Sequence, residues 1–117
     1  MDLQKIENDL ISEIKLSSLQ ARVFLFITTS GKQTIQNISK RFNISESEAL
    51  DVANSLVSIG SLIDLSKTEF EAMHPRFTAV NMYRRMCERE NIEFKRNKIV
   101  DSIGVVLEKP YDNARTK

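Results

Sequence analysis

The chain has 117 residues, of which 41% are hydrophobic and 28% are charged, and these fractions are typical of a globular protein rather than a disordered one. The single cysteine, Cys87, excludes an internal disulfide. Because no run of about 18 apolar residues and no leader-like amino terminus is present, we expect neither a membrane span nor a signal peptide. The sequence therefore predicts one compact cytoplasmic domain with a short appendage.

The net charge of +1 is unevenly distributed along the chain. Residues 1–74 contain seven Lys or Arg against ten Asp or Glu, whereas residues 75–117 contain ten against six. A basic face, if the protein has one, should therefore come from the carboxy-terminal part.

Two helices are predicted at the amino terminus. Apolar residues recur every three or four positions from Leu3 to Ile14, and Asp2 is placed to cap this first helix. Ser17 and Gln20 have the spacing of a capping box and should start a second helix. Gly31 should follow its end.

Two more helices are predicted on either side of a tight turn. Thr34 is a suitable cap for a short third helix, and Asn43 suits the left-handed turn after it. Ser45 and Glu48 then form a second capping box, which predicts a fourth helix over residues 46–59.

A β-hairpin is predicted after Gly60. Apolar residues alternate with polar ones in residues 61–65 and again in residues 69–74, around the polar turn at residues 66–68. An isolated hairpin is marginally stable in water, so its apolar face should lean on the preceding helices.

The carboxy-terminal part is predicted to be mostly one long helix. Pro75 suits its first turn, and no proline follows until Pro110. Its apolar residues form two stripes, and the second stripe is shifted around the helix relative to the first. A bend or break is therefore expected near Asn91. Residues 110–117 show no apolar periodicity and are predicted to be a flexible tail.

The predicted fold class is mainly α with a small β-hairpin, a winged helix-turn-helix plus a long C-terminal helix. We expect residues 1–75 to form the winged domain and residues 76–109 to form a helical dimerisation segment. In such folds the helix after the turn enters the major groove of DNA. The alternative is an ordinary helical domain in which two helices happen to be joined by a short turn.

Three further patterns strengthen the first interpretation: an opening L-x-x-x-x-A-x-V, a later L-x-x-x-G-x-L, and a His-Pro step that closes the hairpin. They are found at Leu16, Ala21 and Val23, at Leu56, Gly60 and Leu62, and at His74 and Pro75. With these, residues 16–86 resemble the DNA-binding domain of TrmB-type archaeal transcriptional regulators. The resemblance implies double-stranded DNA as the partner. Larger members add a sugar-sensing domain, for which this chain is too short, so no small-molecule ligand is expected.

The candidate DNA-binding residues are basic or polar side chains of the motif helices and the wing: Lys32, Thr34, Lys40, Arg41, Ser45, Ser47, Asn54, Ser55 and Lys67. Lys40, Arg41 and Lys67 are favoured as a group because such positions contact the DNA backbone in winged folds. The long helix adds positive charge at Arg76, Arg84, Arg85 and Arg89. For any one of these cations the alternative is an ordinary solvated surface charge.

The predicted recognition helix is unusually acidic for a protein that binds a polyanion. Glu48 is accounted for by the capping box and Glu46 by the positive end of the helix dipole, but Asp51 has no such explanation. A second hypothesis is therefore a winged-helix protein-interaction module of the transcription machinery, in which residues 46–51 dock on a basic partner. The sign of the surface potential over this helix would distinguish the two.

Homodimerisation is predicted through the apolar stripe of the long helix: Tyr83, Cys87, Phe94, Ile99, Ile103 and Val106. The alternative is that this stripe folds back on the chain's own first helix, whose apolar face also needs a cover. For Cys87 the expectation apart from dimerisation is a small buried residue without chemistry.

An enzyme is not predicted. His74 is the single histidine, and its neighbour Pro75 favours a place at the end of a strand or the start of a helix. The three glycines are isolated, so no phosphate-binding loop is present. We expect no cofactor and no metal site.

Overall fold

A computed structural model describes residues 2–115 of the chain. In this range the elements follow in the order α1 (Leu3–Ile14), α2 (Ser18–Ser30), β1 (Gln33–Thr34), α3 (Ile35–Phe42), α4 (Glu46–Ser58), β2 (Leu62–Asp64), β3 (Glu69–Ala72), α5 (Pro75–Glu90) and α6 (Lys98–Arg115). The predicted fold class is confirmed, because the chain is mainly helical, has a small antiparallel sheet and ends in a long helix.

Local capping explains where four of the helices begin. Asp2, Ser17, Thr34 and Ser45 each accept a hydrogen bond from the backbone N–H three residues later. These oxygens satisfy donors that the first turn of a helix leaves unpaired. Asn43 has a φ of 54° and ends α3 in the left-handed conformation, as its residue type predicted.

The sheet contains the predicted hairpin and one strand more. Its order is β1-β3-β2, and all pairs are antiparallel, with Gln33 opposite Phe70 and Leu62 opposite Ala72. A strand of two residues is too short to show an alternating pattern, which is why β1 was not predicted. Phe70 and Leu62 are buried, so the hairpin leans on the helices as expected.

One hydrophobic core includes the carboxy-terminal residues. It extends from Ile6 in α1 to Leu107 in α6, and α6 packs against α5, α2 and α1. Val100, Ile103 and Leu107 are at most 1% exposed. The division at residue 75 is therefore corrected: residues 76–109 help to form the core of the winged domain.

The predicted long helix is in fact two helices, α5 and α6, joined by a turn. α5 ends at Glu90, because the next residue, Asn91, has a φ of 56° that stops the helix. The break expected near Asn91 is therefore confirmed. The chain then turns, since the ring of Phe94 lies 5.9 Å from that of Tyr83. Further along α6, a Cβ on Gly104 would lie 2.8 Å from the Cα of Arg76. The two helices are therefore antiparallel and in close backbone contact.

The flexible tail predicted for residues 110–117 is wrong as far as the structure describes it. Residues 110–115 continue α6. Arg115 donates to the backbone oxygens of Thr28 and Ala72 at 3.3 and 3.2 Å and pairs with Glu71 at 3.1 Å. A charged side chain makes these contacts, so an apolar pattern could not show them. Residues 116 and 117 lie outside the described range.

Candidate nucleic-acid interface

The helix after the turn, α4, has one buried face and one exposed polar face. Ala49, Val52, Ala53 and Leu56 point into the core, which fixes the rotation of the helix about its axis. On the opposite side, Ser47, Asp51, Asn54 and Ser58 are exposed and follow one another at helical spacing. This polar face is the part of the molecule that a winged fold presents to a partner.

The amino-terminal end of this face is acidic. Glu46, Glu48 and Asp51 are exposed and make no ion pair within residues 2–115. The hydroxyl oxygen of Ser45 accepts from the backbone N–H of Glu48 at 3.0 Å and lies 3.4 Å from its carboxylate. Ser45 is thus a helix cap, and its hydroxyl is already engaged within the chain.

Ser55 is corrected as a candidate DNA contact. Its hydroxyl donates to the carbonyl of Val52 at 2.7 Å and accepts from the side-chain amide of Gln20 at 3.1 Å. Ser55 therefore joins α4 to α2 in a partly buried position. The spacing along α4 could not reveal this, because the partner lies 35 residues away in the sequence.

The wing is the β2–β3 hairpin, and its tip, the turn at residues 66–68, lies beside the start of α3. The backbone N–H of Ile35 donates to the carbonyl of Thr68 at 2.9 Å, which places the neighbouring Lys67 near the first turn of that helix. Lys32 directly precedes β1, and Thr34 is opposite Glu69 in the sheet. Both lysines are exposed. The structure therefore brings Lys32, Thr34 and Lys67 to one edge of the molecule.

Lys40 and Arg41 lie at the other end of α3, in its last turn. The Arg41 guanidinium lies 5.7 Å from the ring centroid of Phe26 and 5.3 Å from that of Phe42. It lines a groove formed with α1 and α2. The length of α3, about 12 Å for eight residues, separates this turn from the wing tip. Lys40 and Arg41 therefore lie apart from Lys67, the predicted backbone contact of the wing.

Two arginines of α5 lie at the carboxy-terminal end of α4. Arg85 donates to the carbonyl of Ser58, the last residue of α4, at 2.9 Å. Arg84 donates to the side-chain oxygen of Asn81 at 2.9 Å, and the Asn81 amide donates to the carbonyl of Gly60 at 3.1 Å. These arginines were predicted as positive charges available for phosphates on one long helix, but not as candidate DNA-binding residues. The signal is absent from the sequence because the contacts from Asn81 and Arg85 span 21 and 27 residues.

The predicted dimerisation residues fall into two groups. Cys87 and Ile103 are 1% and 0% exposed and belong to the chain's own buried interior, so their assignment to a dimer contact is wrong. Tyr83 is half-buried against Phe94. The remaining predicted residues, Phe94, Ile99 and Val106, are exposed. Phe77 and Val80 of α5 and Val105 of α6 are exposed as well.

The side chain of His74 has the predicted structural role at the start of α5. Its Nδ1 accepts from the backbone N–H of Arg76 at 3.2 Å, and its Nε2 lies 3.4 Å from Glu108.

Among the side chains of residues 2–115, no group of three or more His, Cys, Asp or Glu is arranged to hold a metal ion. No helix in the same range is long and apolar enough to cross a membrane.

Comparison with protein-family models, with curated proteins and with solved structures finds no match for this chain.

Proposed function

We propose that this protein is a DNA-binding transcriptional regulator of the winged helix-turn-helix type, similar to the TrmB-type regulators of archaea, and that it acts in the cytoplasm. The observation that supports the proposal is the exposed polar face of α4, presented beside a β1-β3-β2 sheet whose wing tip reaches the start of α3. This is the arrangement by which winged folds place a helix in the major groove and a wing on the DNA backbone.

Different residues are proposed to contact the bases and the phosphates of the DNA. Ser47 and Asn54 are exposed on α4, and their side chains are able to donate to base edges in the major groove. Lys32 and Lys67 lie at the wing edge, where cations contact phosphates and set the orientation of the protein.

The functional unit of the proposal is a homodimer. Phe94, Ile99 and Val106 remain exposed, together with Phe77 and Val105. All of them belong to the α5–α6 segment, and a two-fold dimer is the most frequent way to cover exposed apolar side chains of this kind. A two-fold axis would present two α4 helices to half-sites about 34–36 Å apart. Sedimentation of the full chain at micromolar concentration tests this step.

DNA binding is tested by titrating the full chain with duplex DNA at several salt concentrations, followed by selection from random sequences. Lys32→Gln with Lys67→Gln should reduce the salt slope of the binding constant by about 2, or about 1 for each lost phosphate contact. Lys5→Gln with Lys109→Gln removes the same charge elsewhere and serves as the control. Failure of the wild-type chain to bind duplex DNA at low salt would contradict the proposal.

A second function is supported by the acidic end of α4. Glu46, Glu48 and Asp51 are exposed without ion-pair partners in the described part of the chain, which suits a basic protein segment better than a polyanion. Changing them to Gln, Gln and Asn should strengthen DNA binding if the protein is a regulator, because repulsion is removed. If it is a protein-interaction module, the wild-type chain should bind a lysine-rich peptide and not DNA. The same change should then abolish binding of the peptide.

A further inference from the structure

Asn81, Arg84 and Arg85 of α5 form a polar cluster with two backbone carbonyls where α4 ends. Asn81 is only 7% exposed, and its amide nitrogen donates to the carbonyl of Gly60 at 3.1 Å. Its amide oxygen accepts from Arg84 at 2.9 Å. Both ends of the Asn81 side chain are therefore engaged, and this fixes the position of the Arg84 guanidinium relative to the end of α4.

Arg85 completes the cluster from the next position of α5. Its Nη1 donates to the carbonyl of Ser58 at 2.9 Å, and its Nε lies 3.1 Å from the point that a Cβ on Gly60 would occupy. The same Cβ would lie 2.1 Å from the Asn81 amide nitrogen, and Gly60 has a φ of 84°. Only glycine therefore allows Asn81 and Arg85 to approach this turn closely.

The positive charge of the cluster is exposed in the described part of the chain. Neither Arg84 nor Arg85 makes an ion pair within residues 2–115, and both are exposed. A guanidinium has five N–H donors, and the bonds described here leave donors of each side chain available to a ligand. An arginine near the last carbonyls of a helix is favourable in itself, which accounts for Arg85. It does not account for Arg84, which is held by Asn81.

The two ends of α4 therefore carry opposite charge. Along the helix axis, Glu46 lies about 18 Å from Ser58 and Asp51, the nearest of the acidic residues, lies about 10 Å from it. Both separations exceed the Debye length of about 8 Å at physiological ionic strength, so salt screens much of the effect of the carboxylates on the arginine charge. A polyanion meets repulsion at the amino-terminal end and attraction at the carboxy-terminal end. Arginine is also the side chain whose planar fork best fits phosphate oxygens.

We propose that Arg84 and Arg85 contact backbone phosphates of DNA at the carboxy-terminal end of α4, and that the duplex is anchored there and at the wing edge. The acidic amino-terminal end then lies away from the phosphates. This inference rests on the proposed DNA-binding function and deepens it, because it names which end of α4 carries the backbone contact. Phosphate contacts carry no base information, so the pair sets affinity and orientation and leaves sequence preference unchanged.

The test uses the full chain and a duplex that the wild type binds. Arg84→Gln with Arg85→Gln should weaken binding to all sequences and lower the salt slope by about 2. Arg84→Lys with Arg85→Lys keeps both charges and should recover the slope. Lys5→Gln with Lys109→Gln removes two positive charges elsewhere and should leave it unchanged.

Folding is separated from binding by a third variant and by melting curves. Arg84→Gln alone loses only a bond to Asn81 on its own helix, so it should melt like the wild type and lower the salt slope by about 1. If the wild type binds DNA and folded glutamine variants keep its affinity and slope, the inference is overturned while the proposed function stands. If the wild type binds no duplex, both fail.

Discussion

The winged part of the molecule, α2 to β3, and the α5–α6 pair differ in the longest range of the side-chain bonds that hold them: 35 residues in the first and 87 in the second. In the winged part, the starts of α2, α3 and α4 are set by side chains that bond to the backbone three residues later. In the α5–α6 pair, Asn97 donates to Glu13 across 84 residues and Arg115 donates to Thr28 across 87. Local bonds form independently of the rest of the chain, whereas the long-range ones exist only once the whole chain has folded.

The α5–α6 pair follows a complete winged motif in the sequence, which is why it was predicted to be a separate segment. In the structure it covers α1 and α2 and contributes to the same core. We therefore expect the two parts to unfold together, and four changes test this comparison.

Removing α6 by ending the chain after Glu90 should have the largest effect. It deletes Val100, Ile103 and Leu107, and each buried side chain of this size contributes roughly 1.5–3 kcal/mol. Their sum is comparable to the whole stability of about 5–15 kcal/mol of a typical domain. Thermal unfolding followed by circular dichroism should show no cooperative transition. A cooperatively folded fragment with the wild-type melting temperature would mean that α6 is an appendage after all.

Single core substitutions compare the two parts directly. Leu56 in α4 and Ile103 in α6 are both 0% exposed. Leu56→Ala and Ile103→Ala should each cost about 2–5 kcal/mol, because each loses burial and leaves a cavity. Ile99→Ala, one turn away on α6 and 42% exposed, is the matched control and should cost much less. If denaturant unfolding gave the same small loss for Ile103 as for Ile99, the packing of α6 described here would be incorrect.

Gly104→Ala tests the close approach of α5 and α6. The added Cβ would lie 2.8 Å from the Cα of Arg76 and 3.2 Å from the carbonyl oxygen of Pro75, and backbone atoms do not move aside easily. Overpacking of this kind costs about 1–3 kcal/mol and should exceed the gain of about 1 kcal/mol that alanine offers inside a helix. Ser102→Ala, at an exposed position of α6, provides the control. A higher melting temperature for Gly104→Ala would show that the helices are further apart.

Ser45→Ala should have the smallest effect on stability, and it tests the local cap at the start of α4. The hydroxyl oxygen of Ser45 accepts from the backbone N–H of Glu48 at 3.0 Å, and loss of such a cap costs about 0.5–2 kcal/mol. Ser47→Ala changes an exposed serine of the same helix that is not a cap, and its effect should be close to zero. Equal melting temperatures for the two variants would indicate that the Ser45 cap contributes nothing to α4.

The candidate DNA-binding residues stay predictions, but the structure shows what local pattern could and could not reveal about their surroundings. The exposed face of α4 with Ser47 and Asn54 follows from helical spacing alone. Ser55 fits the same pattern but is bonded to Gln20 of another helix. Arg41 was grouped with Lys67, although it lies over aromatic rings at the far end of α3. No rule of spacing within one helix reveals which other element covers a given side.

By itself the sequence determined the helices α1 to α4, the turn at Asn43, the hairpin and the break at Asn91, because caps, left-handed turn residues and apolar periodicity act over a few neighbouring positions. The tertiary structure alone decided that α6 turns back to complete the core, that Ile103 is buried and that Asn81 and Arg85 bond to the end of α4. These outcomes depend on contacts between residues tens of positions apart, whose partners are specified by the shape of the closed chain and not by any local pattern.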